Sequence, residues 1–403
     1  MEASQLSPPP PSNSPKTLYQ HHPFNLNNNN FQATQDSSSP ISLPAMNNNL
    51  QLHADHKSKA SKPFLPLLLV NYFCLFVGSV SSTLLSKFYF NHKGSSRWLS
   101  TWVQSAGFPL LIIPIYLPFL LKCTERRPFT HFTHKIFILS ILIGLMLGLN
   151  NLLFSWGNSY LPVSTSSLLL SSQLIFNLIL SVIIVKQKIT FSNLNCVILL
   201  TLSSILLALA SNHDKPSGLT RGKYFIGFFS TIGAGFLFAL YLPLMEMIYK
   251  KVYCYQMVME MQLVMEVAAT ALASVGMALD RHGGISEIKN ESRRVFEGGP
   301  TVYWVTVFFN VVTWQLCFMG TAGMVFLTSS LTGGVCMTAL MGMNVLGGVL
   351  VYGDVFGGVK AVSTVLFGWG FSSYVYGLYV KMKEEKAKEK SNQGVMEMVN
   401  DSV

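Results

Sequence analysis

Charged residues are scarce: Asp, Glu, Lys and Arg make up 11% of 403 residues, against roughly a quarter in a soluble domain. That deficit excludes an ordinary water-soluble surface and points to lipid contact. The six cysteines, at positions 74, 123, 196, 254, 317 and 336, show no metal or redox spacing. All nine histidines fall outside the long apolar stretches. A membrane-embedded enzyme would need a nucleophile with its base, or His and Asp clusters, at depth; no metal and no cofactor are expected. No short apolar core precedes Phe64, so nothing resembles a signal peptide, and the first 62 residues contain no Arg, which argues against a transit peptide. With Pro8 to Pro11 and the Asn27 to Asn30 run, that stretch reads as a disordered cytoplasmic tail, and its His21-His22 pair as part of it.

What is abundant is hydrophobicity, at 50% of the chain. A helix needs about 20 apolar residues to cross a bilayer, and ten segments qualify: Phe64 to Ser86, Trp98 to Leu121, Ile136 to Gly157, Val163 to Val185, Leu194 to Ser211, Tyr224 to Met245, Gln256 to Leu279, Thr301 to Ala322, Val325 to Gly348 and Ala361 to Val380. Thr301 to Gly353 carries no charge and is far too long for one crossing. A turn is therefore expected near Gly320 to Gly323.

An internal repeat organises these spans. Thr165-Ser166-Ser167-Leu168 recurs 163 residues later as Thr328-Ser329-Ser330-Leu331, each copy eight positions after a glycine, Gly157 or Gly320. Ten spans at that offset give five per half, and an odd number turns the second copy upside down: an inverted repeat, the plan of many carriers. The expected fold is an all-α polytopic membrane protein of ten helices in two inverted halves, residues 63–211 and 212–380, followed by a cytoplasmic tail, 381–403.

Lys and Arg concentrate on the cytoplasmic side of membranes. With the N-terminus inside, cytoplasmic segments hold 16 and the opposite side 11. This puts both termini in the cytoplasm and the Asn290-Glu291-Ser292 sequon on the far side, making Asn290 a glycosylation candidate. The net charge of +10 reflects basic loops near anionic lipid and not nucleic-acid binding.

Within the spans, the ionisable groups at depth are Glu260 and Glu266, with Glu246 near one end of span six. A carboxylate at depth is costly unless paired, hydrated or protonated, and a group that exchanges a proton is what coupling to a proton gradient requires. Both are proton-coupling candidates; a hydrogen bond that only joins helices is the plain alternative. Gln262 lies one turn before Glu266, while Glu260 is about 120° away around the helix. No Lys or Arg is expected inside any span, which favours a neutral or cationic solute over an anion. Trp102, Gln104, Asn150, Asn151, Gln173, Asn177, Gln262, Trp314, Gln315 and Asn344 are the substrate-binding candidates: amides pair with ring nitrogens and exocyclic amines, and indoles stack on flat rings. The same amides can instead bond helix to helix. Small residues, including Gly144-x-x-x-Gly148 and the repeated Ser-Ser pairs, read as helix-packing faces.

Five motifs in order, Trp98-Leu99-x-Thr101-Trp102-x-Gln104-x-x-Gly107-x-Pro109, Tyr160 to Ser167, Lys186-Gln187-Lys188, Val312-Thr313-Trp314-Gln315, and Trp369-Gly370-Phe371-x-Ser373-Tyr374-Val375-Tyr376, resemble the plant purine permeases of the drug/metabolite transporter superfamily. The resemblance covers Phe64 to Val380. It implies the drug/metabolite transporter fold with a central cavity, and proton-coupled uptake of adenine-type bases, including cytokinins in some members. It implies path-lining roles for Trp102, Gln104, Trp314 and Gln315. A proton-independent facilitator or channel, and a carrier of another neutral or cationic plant metabolite such as an alkaloid or vitamin, remain open. So does oligomeric state; the plasma membrane is the expected location. An epitope tag on either terminus should survive protease added outside sealed right-side-out vesicles; digestion would refute the topology.

Overall fold

The structure, a computed structural model, describes residues 64–400 apart from 123–125, 131, 162–165, 167–168, 171, 188, 212–219, 253, 281–284 and 353–356. Most of the first Thr-Ser-Ser-Leu copy, Cys123 and the N-terminal tail with His21-His22 lie outside the described residues. Among the described residues the secondary structure is helical, with no strand. In chain order the helices are α1 (Phe64–Asn91), α2 (Arg97–Val103), a 3-10 turn (Phe108–Leu111), α3 (Ile112–Leu120), α4 (His134–Tyr160), α5 (Gln173–Val185), α6 (Phe191–Ser211), α7 (Arg221–Tyr249) and α8 (Tyr255–Leu279). The short α9 (Ile285–Asn290) with a π turn (Glu291–Val295), then α10 (Gly299–Leu327), α11 (Ser330–Tyr352) and α12 (Gly358–Asn400) complete them. Seven helical stretches are long and apolar enough to cross a membrane: Leu65–Asn91, Arg97–Leu120, His134–Tyr160, Arg221–Tyr249, Tyr255–Leu279, Gly299–Leu327 and Ser330–Tyr352. The expected fourth, fifth and tenth spans fall on the shorter apolar stretches Gln173–Val185 and Phe191–Ser203 and on α12, which continues well past Val380. Leucine, isoleucine, valine and phenylalanine side chains such as Val70, Phe73, Ile138, Leu142 and Ile183 point outward, as lipid-facing surface requires.

Two breaks in the helices differ from expectation, each for a local reason. The second span is broken. Ser96 caps α2, its hydroxyl accepting the Leu99 N–H at 3.2 Å. The helix then stops at Gln104, and the chain turns into the 3-10 stretch Phe108–Leu111, where Pro109 has no N–H to carry an α-helical bond onward. The turn expected near Gly320 to Gly323 is not there; α10 runs unbroken through both and ends at Leu327, and the chain breaks at Thr328–Ser329. These glycines serve contact between helices. A Cβ on Gly320 would lie 2.5 Å from the Leu75 nitrogen, one on Gly78 would lie 2.7 Å from the Thr313 carbonyl oxygen, and one on Gly323 would overlap the Asn71 amide. α1 and α10 therefore touch backbone to backbone. Gly144 and Gly148 do the same for α4, facing Met265 and Ala269 of α8.

The buried apolar side chains form a main cluster spanning α1 to α4, α7, α8, α10 and part of α11, and a satellite of Leu174, Cys196, Val197, Leu200, Leu331, Val335, Phe367 and Tyr374 joining α5, α6, α11 and α12. Replacing Gly320 or Gly78 by leucine should overpack the α1–α10 crossing and lower stability by about 3 kcal/mol or more. Gly222, whose added Cβ would meet nothing within 4 Å, is the control. Thermal unfolding in detergent checks this: Gly222→Ala should melt with the parent, and equal melting of all three variants would refute the close crossing.

Candidate functional site

Two adjoining chambers lie between α1, α2, α4, α5, α7, α10 and α11, and they share Phe154, Leu170, Trp314, Met337 and Met341. The first, a cavity of about 60 Å³, has a hydroxyl-rich wall on α1, where Ser79, Ser82 and Thr83 recur at helical spacing with Lys87 one turn on. Asn158, Ser166, Cys317 and Asn344 complete its polar lining. The second, about 50 Å³, is lined by amides, Gln104, Asn150, Asn151 and Gln173, and by aromatic rings, Phe238 and Phe318 beside the shared Phe154 and Trp314.

The ring walls are held at defined angles. Phe154 meets Trp314 edge-on, centroids 5.5 Å apart at 85°, and Phe318 stacks behind the indole at 5.7 Å and 27°. Trp314 Nε1 donates to Ser86 Oγ at 3.4 Å, and Asn310 Nδ2 donates to the same hydroxyl at 3.3 Å, so α1 and α10 together orient the ring. Gln104 sits at the break in the second span, where freed backbone can line a cavity. Its Nε2 is committed to Ser100 O at 2.9 Å, Ser155 Oγ at 2.9 Å and Asn151 O at 3.3 Å.

Other amides keep atoms in reserve. Asn151 Nδ2, Gln173 Nε2 and Asn344 Oδ1 are buried and have no partner among the described residues. Asn150 donates to Asn151 Oδ1 at 3.3 Å, and Asn344 Nδ2 to Thr83 Oγ1 at 3.3 Å. Buried polar groups are nearly always bonded. Two donors and an acceptor left over on ring-walled chambers suit a planar solute that carries both acceptor and donor edges.

The two buried glutamates of α8 are held differently, each with one carboxyl oxygen left without a partner among the described residues. Glu260 pairs with Arg126, Nη2 to Oε2 at 2.9 Å, while Arg126 Nη1 reaches Cys254 Sγ at 3.4 Å. Although no Lys or Arg is expected inside a span, a cation reaches one from a loop: Arg126, from the segment between α3 and α4, folds back onto α8. Glu266, fully buried, accepts from Gln262 Nε2 at 2.9 Å and Gln315 Nε2 at 3.2 Å, and Tyr241 OH donates to Gln262 Oε1 at 3.1 Å. Glu266, Gln262 and Gln315 line neither chamber; Gln315 is tied to the cavity wall only through its chain neighbour Trp314. Gly107 makes room for Gln315, since a Cβ there would lie 2.8 Å from Gln315 Oε1.

Of the expected binding residues, Gln104, Asn150, Asn151, Gln173, Trp314 and Asn344 therefore meet at the cavity. Trp102 packs against the main apolar cluster, and Asn177 is spent on Ser330 O at 3.1 Å and Ser181 Oγ at 3.3 Å. Lys87 lies one residue beyond the expected end of span one, but α1 continues to Asn91 and carries it onto the chamber wall. Phe154, Phe238, Phe318 and the α1 hydroxyls were not anticipated; the Ser79, Ser82, Thr83, Ser86 spacing was the available signal. Asn290 is exposed, while Glu291 beside it is buried, accepting from Tyr89 OH at 2.5 Å and Ser95 Oγ at 2.7 Å. Among the described residues no group of three or more His, Cys, Asp or Glu converges.

A multi-pass helical membrane protein enclosing a cavity of amides and aromatic rings has the build of a solute transporter. Residues 66–384 match the family model for purine nucleobase transmembrane transport. The sequence is 67% identical to Probable purine permease 4 of Arabidopsis thaliana over 78% of this chain and 82% of that one. It is 35% identical to Purine permease 2 over 81% and 95%, and 33% identical to Purine permease 3 over 80% and 93%, both also from Arabidopsis thaliana. The chain belongs to the purine permease family, whose members are transporters and not enzymes. A protein of known crystal structure, 12% identical, superposes with a TM-score of 0.55 over 77% of this chain and 98% of its own, a likeness of fold.

Removing one partner of a buried ion pair leaves a charge uncompensated, at about 3–5 kcal/mol. Arg126→Gln should therefore destabilise the protein in detergent melting. Adding Glu260→Gln should restore most of the loss; no recovery in the double variant would show that the pair is not the source.

Proposed function

We propose that this protein is a secondary active transporter that carries purine nucleobases and derivatives such as adenine or cytokinins across the plasma membrane, together with a proton, by alternating access. Family membership supports the solute class. The unpaired amide atoms of Asn151, Gln173 and Asn344 around the Trp314–Phe154 walls carry the reading at residue level, because purine ring nitrogens and amino groups would complete them. In this reading ten crossings form two inverted five-helix halves, both termini are cytoplasmic, and the halves rock about the cavity. Glu266 would take up the proton. Its bonds to Gln262 and Gln315 link it to α10 beside Trp314, so a change in its charge would be felt at the cavity wall.

A proton-independent facilitator is the second reading, favoured by Glu266 lying behind the lining and bonded to two amides. Uptake of radiolabelled adenine, at acidic and neutral external pH and with a protonophore, separates the two. Symport predicts faster uptake at acidic pH, loss with the protonophore, and severe loss in Glu266→Gln. Uptake indifferent to both the protonophore and the substitution would leave the facilitator. Trp314→Ala should raise the adenine half-saturation concentration about 10-fold, the scale of one lost base-stacking contact; an unchanged value would remove Trp314 from the site. Competition by unlabelled adenine against an alkaloid or vitamin tests the solute class.

A further inference from the structure

We propose that the second Thr-Ser-Ser-Leu copy is the inner gate of the solute path, and that Glu246 is the positioning residue that holds it shut. The inference rests on the alternating-access reading above. α11 starts at Ser330, directly after the Thr328–Ser329 break, and a first-turn N–H has no partner within its own helix. Here Glu246 Oε2 on α7 accepts the Ser330 N–H at 2.7 Å, a short, charge-assisted bond. From α5, Asn177 Nδ2 donates to Ser330 O at 3.1 Å and the Ser181 hydroxyl meets the Ser330 hydroxyl at 3.0 Å. Just past α5, Gln187 Nε2 donates to Ser329 Oγ at 3.4 Å. Tyr374 of α12 joins Thr332 at 2.7 Å. Ser330, Asn177 and Ser181 are fully buried. Three helices thus converge on the start of α11, just past one break in the chain.

The other end of the path supplies the second observation. At the 163-residue offset of the duplication, Glu246, Lys250 and Ser329 correspond to Thr83, Lys87 and Ser166. All three of those line the first chamber. In the second half the same positions close on themselves: Glu246 bonds Ser330 and pairs with Lys250 at 3.2 Å, and Ser329 bonds Gln187. One set lines a chamber and its counterpart is bonded across helices, as expected of a carrier caught open on the side of Lys87 and closed on the side of Lys250. Reversal would then break the Glu246–Ser330 bond and draw Ser166 toward Thr83 and Lys87.

The test uses the full chain in sealed right-side-out vesicles, with a cysteine at the chamber mouth, Asn158→Cys, and a membrane-impermeant maleimide added outside. Labelling is corrected for the protein without that cysteine. Glu246→Ala should shift the population inward and slow labelling about threefold or more. Ser330→Pro, which deletes the donor at a first helical position where proline is tolerated, should act in the same direction. Glu246→Gln keeps an acceptor and should stay close to the parent. Should Glu246→Ala fail to fold, Ser330→Pro and Ser329→Ala carry the measurement. Labelling unchanged or faster in the folded variants overturns the gate. Adenine uptake is measured separately in the chain retaining Asn158. If that chain carries no adenine, the transport reading fails, while slowed labelling still identifies the gate.

Discussion

Backbone contact between α1 and α10 is the constraint on which the cavity depends. Gly78, Gly320 and Gly323 remove the side chains that would hold these helices apart. Only at that separation do Ser86, Asn310 and Trp314 come within hydrogen-bond reach of one another. The indole shared by both chambers is thus aimed by a contact a turn or two away, and its angle to Phe154 follows from it. In lipid, where apolar side chains gain little by leaving the solvent, packing this close is the main force that joins helices.

Desolvation is the second organising pressure, and α8 answers it twice. Glu260 is met by a cation from outside the spans and Glu266 by two amides and, behind them, a tyrosine. The first arrangement neutralises charge; the second accepts either protonation state of the carboxyl, because an amide can turn to offer its nitrogen or its oxygen. Two carboxyls six residues apart on one helix therefore sit in chemically distinct settings, which no property of α8 alone would reveal.

Length and apolarity made most of the helices legible, and amides and a tryptophan at depth picked out six residues that line the two chambers. Partners distant in sequence were not legible. Arg126 reads as one more loop cation until the fold returns it to Glu260. Gly320 and Gly323 read as a turn, because glycine serves both turns and close contacts and the sequence alone does not separate them. Pro109 was visible, yet its effect, a helix broken beside Gln104, depends on the cavity that receives the loosened backbone. Asn177 and Gln104 share a residue class and a depth, but one is consumed by a helix end and the other lines the second chamber.

The sequon at Asn290 has its asparagine exposed and its next two residues buried against α1 and the Ser95–Ser96 turn. A glycosylating enzyme needs all three residues free and extended. Once Glu291 has docked on Tyr89, the acceptor is no longer presented, although a sugar already attached would project freely outward. Any glycan at Asn290 therefore dates from before this segment settled. The fraction of molecules carrying one would record how slowly α8 and the loop after it settled relative to α1.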